Sequence, residues 1–202
     1  LFISHRKKSK YLVLEQTIVP FYYQKEVILR ELKKFPNIYE SSEYFYQNLK
    51  SNNFKEYEDY YSHMEIIEWE LADYILCPSN FVKDILTKNN IPKRKLINLN
   101  YGLEVSLFKQ IRKNKLKKID EIMDKKNLNI LFIGEFGLRK GAIYILNAFD
   151  KLPENNFSLR IAGNIDINKD LLDRKNIEFL GHCSFEKIKK LLYWADIFIM
   201  PS

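Results

Sequence analysis

Residues 130–202 alternate short apolar runs with amphipathic stretches, and a glycine or another polar residue follows most of the runs. ILFI (130–133), Ser158–Ala162, Ile177–Leu180 and Asp196–Met200 read as strands. Between them, Gly141–Lys151 sets Ala142, Ile145, Leu146, Phe149 and Leu152 on one side of a helix. The stretch 185–194, capped by Ser184, does the same with Ile188, Leu191, Leu192 and Ala195. Strands that are apolar along their whole length, each followed by a helix, predict a parallel sheet built from βαβ crossovers with both faces covered. Open parallel sheets receive ligands beyond the carboxyl ends of their strands, so the turns of this region are where chemistry is expected.

The first half shows the same grammar more loosely. Residues 11–14 read as a strand, Glu15 to Pro20 as the loop after it, and Phe21 onward as a helix with Phe21, Ile28, Leu32 and Phe35 on one face until Pro36-Asn37 breaks it. The aromatics of 39–46 are expected in packing. Phe54, Tyr57, Tyr61, Met64, Ile67 and Leu71 recur at steps of three and four, which predicts a long amphipathic helix, with Glu65, Glu68 and Glu70 on its solvated face. YILCPS (74–79) reads as a buried strand running into a turn, with Ser79 or Asn80 capping the helix after it. Residues 96–99 form another strand, ended by Asn100-Tyr101-Gly102. A shift in composition over 103–127 places the boundary: 1–108 forms one domain, 109–128 a basic linker and 129–202 a second domain.

The net charge of +7 favours an anionic partner. Much of the excess sits in 111–127, where seven Lys or Arg face three acidic residues. The segment reads as a solvated connector, and it lacks the aromatics interleaved with Arg that single-strand binding would use. No stretch approaches the roughly 20 apolar residues of a membrane span. Cys77 and Cys183 stand far apart and outside any C-x-x-C pair, so a disulfide framework or zinc site is not expected and a reducing cytoplasm is. His182 has no second ligand at metal-binding spacing.

The turn Gly134-Glu135-Phe136-Gly137-Leu138-Arg139-Lys140-Gly141 leaves a strand and opens a helix. Gly134 admits close approach of a ligand, the helix start offers N–H groups and partial positive charge, and Arg139 and Lys140 add full charges. A diphosphate would suit it, although neither a Walker loop nor a G-x-G-x-x-G fingerprint is present. Gly163-Asn164 and Gly181-His182-Cys183 end the next strands and would line the same edge, either as backbone donors to a base or sugar or as ordinary strand-ending turns, with Cys183 an apolar filler. Glu15, after the first strand, is either a cleft carboxylate or a surface one.

The order of these pieces resembles the GT-B glycosyltransferases, in particular the retaining glycosyl transferases group 1. EIIEWELADYILCPSNFVKDIL (65–86) is similar to that family's E-x-x-x-x-x-x-A-D-x-I-x-x-x-S-x-F stretch, and IPKRKLINLNYGLEVSLF (91–108) to its crossover between domains. FIGEFGLRKGAIYILNAF, RIAGN and IEFLGHCSFEKIKKLLYWADIFIMPS continue the likeness to Ser202. The resemblance implies an α/β fold of GT-B type with two Rossmann-like parallel-sheet half-domains, both incomplete, the first facing the acceptor and the second the donor. It implies transfer of a sugar from a nucleoside diphosphate sugar to a glycan or lipid-linked acceptor with retention, in bacterial polysaccharide or lipopolysaccharide synthesis. Neither metal nor other cofactor is required and no nucleic acid is expected. The enzyme would be cytoplasmic, with peripheral contact to the anionic inner face of the membrane.

By this resemblance Lys140, assisted by Arg139, contacts the donor diphosphate. Gly134, Glu135, Gly163, Asn164 and Ser202 lie on the donor side, the backbone at His182-Cys183 meets the base, and Glu15, Asn100, Tyr101 and Gly102 line the cleft. Glu135 stands where the family usually has Arg, so either Arg139 compensates or diphosphate binding is weaker. The family's paired glutamates after the P-S turn and its glycine-rich acceptor loop would fall beyond the two ends. The alternatives are a non-catalytic fragment that at most binds nucleotide and a basic nucleic-acid-binding protein.

Overall fold

A computed structural model of the chain describes residues 9–38, 53–102, 105, 122 and 125–202. It divides into two units, Leu1–Leu29 with Asn48–Glu104, and Arg30–Gln47 with Val105–Ser202.

In the first unit, β1 (Val13–Glu15), β2 (Tyr74–Cys77) and β3 (Leu96–Asn98) pair in parallel in that order. Two helices lead into this sheet, α1 (Phe21–Lys34), of which Phe21–Leu29 belong to this unit, and α2 (Asn53–Leu71), and α3 (Asn80–Lys88) joins β2 to β3. Ser79 caps α3 by accepting the Val82 N–H. The core collects Trp69 and Ala72 from the end of α2, Ile75 and Cys77 from β2, Val82 and Leu86 from α3, and Leu96 from β3. Burial pushes the Cys77 thiol up, as expected of an inert structural cysteine.

The second unit holds a four-stranded parallel sheet in the order β8 (Ile177–Gly181), β6 (Phe157–Ala162), β4 (Leu128–Ile133), β9 (Ile197–Phe198). β4 is buried on both faces, because alternate residues point opposite ways. Leu131 and Ile133 pack with Leu191 and Ala195 at the end of α5 (Phe185–Trp194), whereas Ile130 lines a groove with Ile145 and Phe149 of α4 (Ala142–Phe149). A second, two-stranded sheet pairs β5 (Phe136–Gly137) with β7 (Ile165–Asp166). Phe136 is fully buried and meets Phe132 edge to face at 5.2 Å.

The two units repeat one device. Ala72-Asp73 and Ala195-Asp196 each join a helix to the next strand, and each is followed five residues on by Pro-Ser. Asp73 accepts the Leu12 N–H at 2.9 Å and its own N–H donates to Leu12 O at 2.8 Å. Asp196 treats Asn129 in the same way at 3.0 and 2.8 Å, and takes Lys125 Nζ at 2.8 Å as well. A carboxylate thus locks β2 to the start of β1 and β9 to the start of β4, which fixes the register that carries the turns at the other end of each strand.

Several expectations are corrected. Glu65 does not lie on a solvated face: it is half-buried, accepts the Phe21 N–H at 2.9 Å and lies 3.5 Å from Gln16 Nε2. The inward face of α2 runs through Glu65, Trp69 and Ala72, with Trp69 donating to buried Gln16 at 2.9 Å. Apolar periodicity misses a face that buries polar groups in partnership, and Tyr61, counted in the apolar stripe, is exposed. Leu192 and Leu152 are also exposed, and the final strand spans Ile197–Phe198 within the expected 196–200. The side chains of Phe54 and Tyr57, the aromatics of 39–46 and most of the 109–128 linker lie outside the described residues.

Candidate functional site

All four strands of the larger sheet run the same way, so the residues after β4, β6, β8 and β9 emerge at one edge. The turns there are bonded side by side: the Gly134 N–H donates to Ala162 O at 2.9 Å, and the Gly163 N–H to Gly181 O at 2.8 Å. Gly163 has φ +141, and a Cβ on it would stand 1.9 Å from Gly134 O, so only glycine allows the first two turns to touch. The Phe136 N–H donates to Asn164 O at 2.7 Å, carrying the contact into the small sheet. The edge is thereby a braced row of backbone.

Lys140 ends a short turn, Leu138–Lys140, pinned by buried Leu138. Gly141 follows with left-handed φ +73 and hands the chain to α4. Tyr144 and Ile145 N–H both donate to Gly141 O, at 3.0 and 3.3 Å, so the leading N–H groups of α4 are those of Ala142 and Ile143, directly after Lys140. A Cβ on Gly141 would fall 2.4 Å from Pro201 O, which shows how closely the Pro201-Ser202 turn after β9 presses on the start of α4. Half-buried Lys140 directly precedes these N–H groups, and Pro201 lies against the glycine between them.

Arg139 is exposed, and Nη2 of its guanidinium stands 3.6 Å from Glu135 Oε2. The side chain expected to offset Glu135 lies within ion-pair range of it. His182 is exposed after β8, while Cys183 is half-buried against Leu131 and Leu191 and points its thiol to Gly181 O, which fits the apolar-filler reading. Asn164 and Ser202 are exposed at the same edge.

In the first unit Glu15 ends β1, and Asn100, Tyr101 and Gly102 follow β3, all exposed. Tyr101 Oη donates to Thr17 O at 3.3 Å, tying the loops after the two outer strands across the end of β2. Beneath the β1 loop, Gln16 donates to Ile18 O and contacts Glu65, whose carboxyl is pushed up by burial, partly offset by these N–H donors. Sequence reasoning missed the Gln16, Glu65 and Trp69 cluster and the bracing β5–β7 pair. It also missed the Ala-Asp device, although its recurrence at 72–79 and 195–202 was a readable signal. Among the described residues no group of three or more His, Cys, Asp or Glu is placed to hold a metal ion, and no helix is long and apolar enough to cross a membrane.

Residues 112–202 match the family described as glycosyl transferases group 1. This stretch is a glycosyl transferases group 1 domain. Among curated proteins, an uncharacterized 41.2 kDa protein in the cps region of Klebsiella pneumoniae is 26% identical over 144 residues, covering 70% of this chain and 40% of that protein. An uncharacterized glycosyltransferase of Methanocaldococcus jannaschii is 36% identical over 81 residues, 36% of this chain and 21% of that one. The matches therefore span less than half of either relative's length. Among solved structures, Anabaena HepE in complex with UDP shares 12% identity at a TM-score of 0.50, over 98% of this chain and 54% of that one, a likeness of fold. The fold of the chain is of the GT-B type, and the group 1 domain contributes the Gly134, Gly163 and Gly181 turns with Lys140.

Proposed function

We propose that the chain belongs to an enzyme that transfers a sugar from a nucleoside diphosphate sugar to a glycan or lipid-linked acceptor, with retention of anomeric configuration and without a required metal. The observation that carries this reading is the placement of Lys140 at the α4 amino end, where Pro201 lies against Gly141, in a stretch that matches group 1 and holds three bonded strand-end turns. Lys140 and the α4 N–H groups neutralise the leaving diphosphate where its charge grows. The backbone at Gly163-Asn164 and His182-Cys183 orients the nucleotide, so positioning supplies much of the acceleration. Glu15, Asn100, Tyr101 and Gly102 serve the acceptor side, and the boundaries 1–108, 109–128 and 129–202 divide acceptor from donor binding. The Klebsiella relative's place in a cps region supports a polysaccharide acceptor, and we place its synthesis at the inner face of the membrane. HepE bound to UDP supports a uridine donor.

The test is a panel of nucleoside diphosphate sugars assayed for diphosphate release with and without polysaccharide intermediates. Release from at least one donor, reduced about 100-fold or more by Lys140→Ala, is the expected result. Equal turnover by the variant would remove Lys140 from the mechanism. The Glu135–Arg139 pair favours a second reading, nucleotide binding without transfer, which the same panel separates: nucleotide would bind and none would turn over.

A further inference from the structure

We infer that Glu135 acts as a resident stand-in for the donor's diphosphate, occupying Arg139 until the ligand displaces it and lowering the affinity for the diphosphate product. The inference rests on the donor reading above. Glu135 lies two residues beyond β4 at the edge where Lys140 and the start of α4 converge, and its Oε2 is 3.6 Å from Arg139 Nη2. The backbone between the two is stiff: Phe136 and Leu138 are buried, and Phe136-Gly137 pairs with Ile165-Asp166. The spacing of acid and base is therefore set by the fold.

Both side chains remain partly exposed, at 41% for Arg139 and 37% for Glu135, so their attraction is screened and exchangeable. A diphosphate offers more charge and several oxygens to a planar guanidinium, and it wins the exchange. Glu135 then competes with the bound anion for the Arg139 guanidinium, and this competition speeds the anion's departure. Glu135 is thus a positioning residue that acts through Arg139.

The experiment is calorimetric titration of the chain with inorganic pyrophosphate, UDP, GDP and ADP at low and high salt, using wild type, Glu135→Gln, Arg139→Gln and the double variant. Glu135→Gln is expected to bind the preferred diphosphate about three- to tenfold more tightly, and Arg139→Gln more weakly. In the Arg139→Gln background the gain from Glu135→Gln should shrink. In the turnover assay, Glu135→Gln should lower the inhibition constant of the diphosphate product with little change in KM for acceptor. Unchanged affinity in Glu135→Gln, confirmed with Glu135→Ala and an unaltered thermal melt, would overturn the inference while leaving the donor reading intact. So would an equal gain with and without Arg139. Failure of wild type and every variant to bind any of the four ligands would overturn the donor reading and this inference together.

Discussion

Gly163 is the residue on which the braced edge turns. Its φ of +141 and the 1.9 Å approach of Gly134 O to the place of a Cβ leave no room for a side chain, and the colliding atom is backbone. Gly163→Ala is expected to cost about 2 kcal/mol or more and to weaken nucleotide binding with it, measured by chemical denaturation and calorimetry. A neutral substitution would show that the turns do not need their contact. The same edge shows what one residue at a time reveals in a sequence. Gly134, Lys140, Gly163 and Gly181 stood out because glycine and charge after an apolar run have few other uses. The partners of Arg139 and Glu65 did not, since an ion pair or a buried hydrogen bond depends on folded geometry that composition leaves open.

Helices and strands were legible where apolar periodicity dominates. α5 was placed at its observed limits because Ser184 caps it, accepting the Lys187 N–H. The periodicity of α2 captures only part of its inward face, because that face also carries Glu65, which periodicity counts as solvent-facing. The pH response of this element follows from its chemistry. Burial raises the Glu65 carboxyl above the ordinary glutamate value of 4.5, the N–H groups of Phe21 and Gln16 lower it in part, and the charge of Glu68 raises it further. The folded state therefore holds this proton more firmly than the unfolded chain does. Ionised Glu65 costs stability at higher pH, and that cost disappears as the pH falls through the raised value towards 4.5. The stability of wild type minus that of Glu65→Gln should fall as the pH rises through this window, and a pH-independent difference would contradict the assignment. Asp196 makes the complementary case: its fully buried carboxylate holds both Lys125 and the Asn129 N–H. Asp196→Ala is expected to lose about 2–3 kcal/mol, with hydrogen exchange accelerating first in β9. Uniform acceleration across the unit would argue against a local lock.

The whole chain is two parallel-sheet units built by one rule, helix to Ala-Asp to strand to Pro-Ser, written at 72–79 and again at 195–202. Strand order and shared polarity bring the turns of each sheet to one edge, and that much followed from the alternation of apolar runs. The bonding of those turns to one another did not, because it depends on which strands become neighbours. The opposite end of the second sheet offers a cleft of about 550 Å³, in which Arg174 grips Asp150 through two bonds of 2.8 Å. The central claim is that the glycine-turn edge, with Lys140, receives a nucleoside diphosphate. Amide chemical-shift mapping of the 24.3 kDa chain during titration with UDP, GDP and ADP tests it most directly. The shifts for the preferred nucleotide should concentrate at Gly134, Lys140–Ile143, Gly163-Asn164 and His182-Cys183, and vanish in Lys140→Ala. Shifts centred on Asp150 and Arg174, or unchanged in the variant, would contradict it.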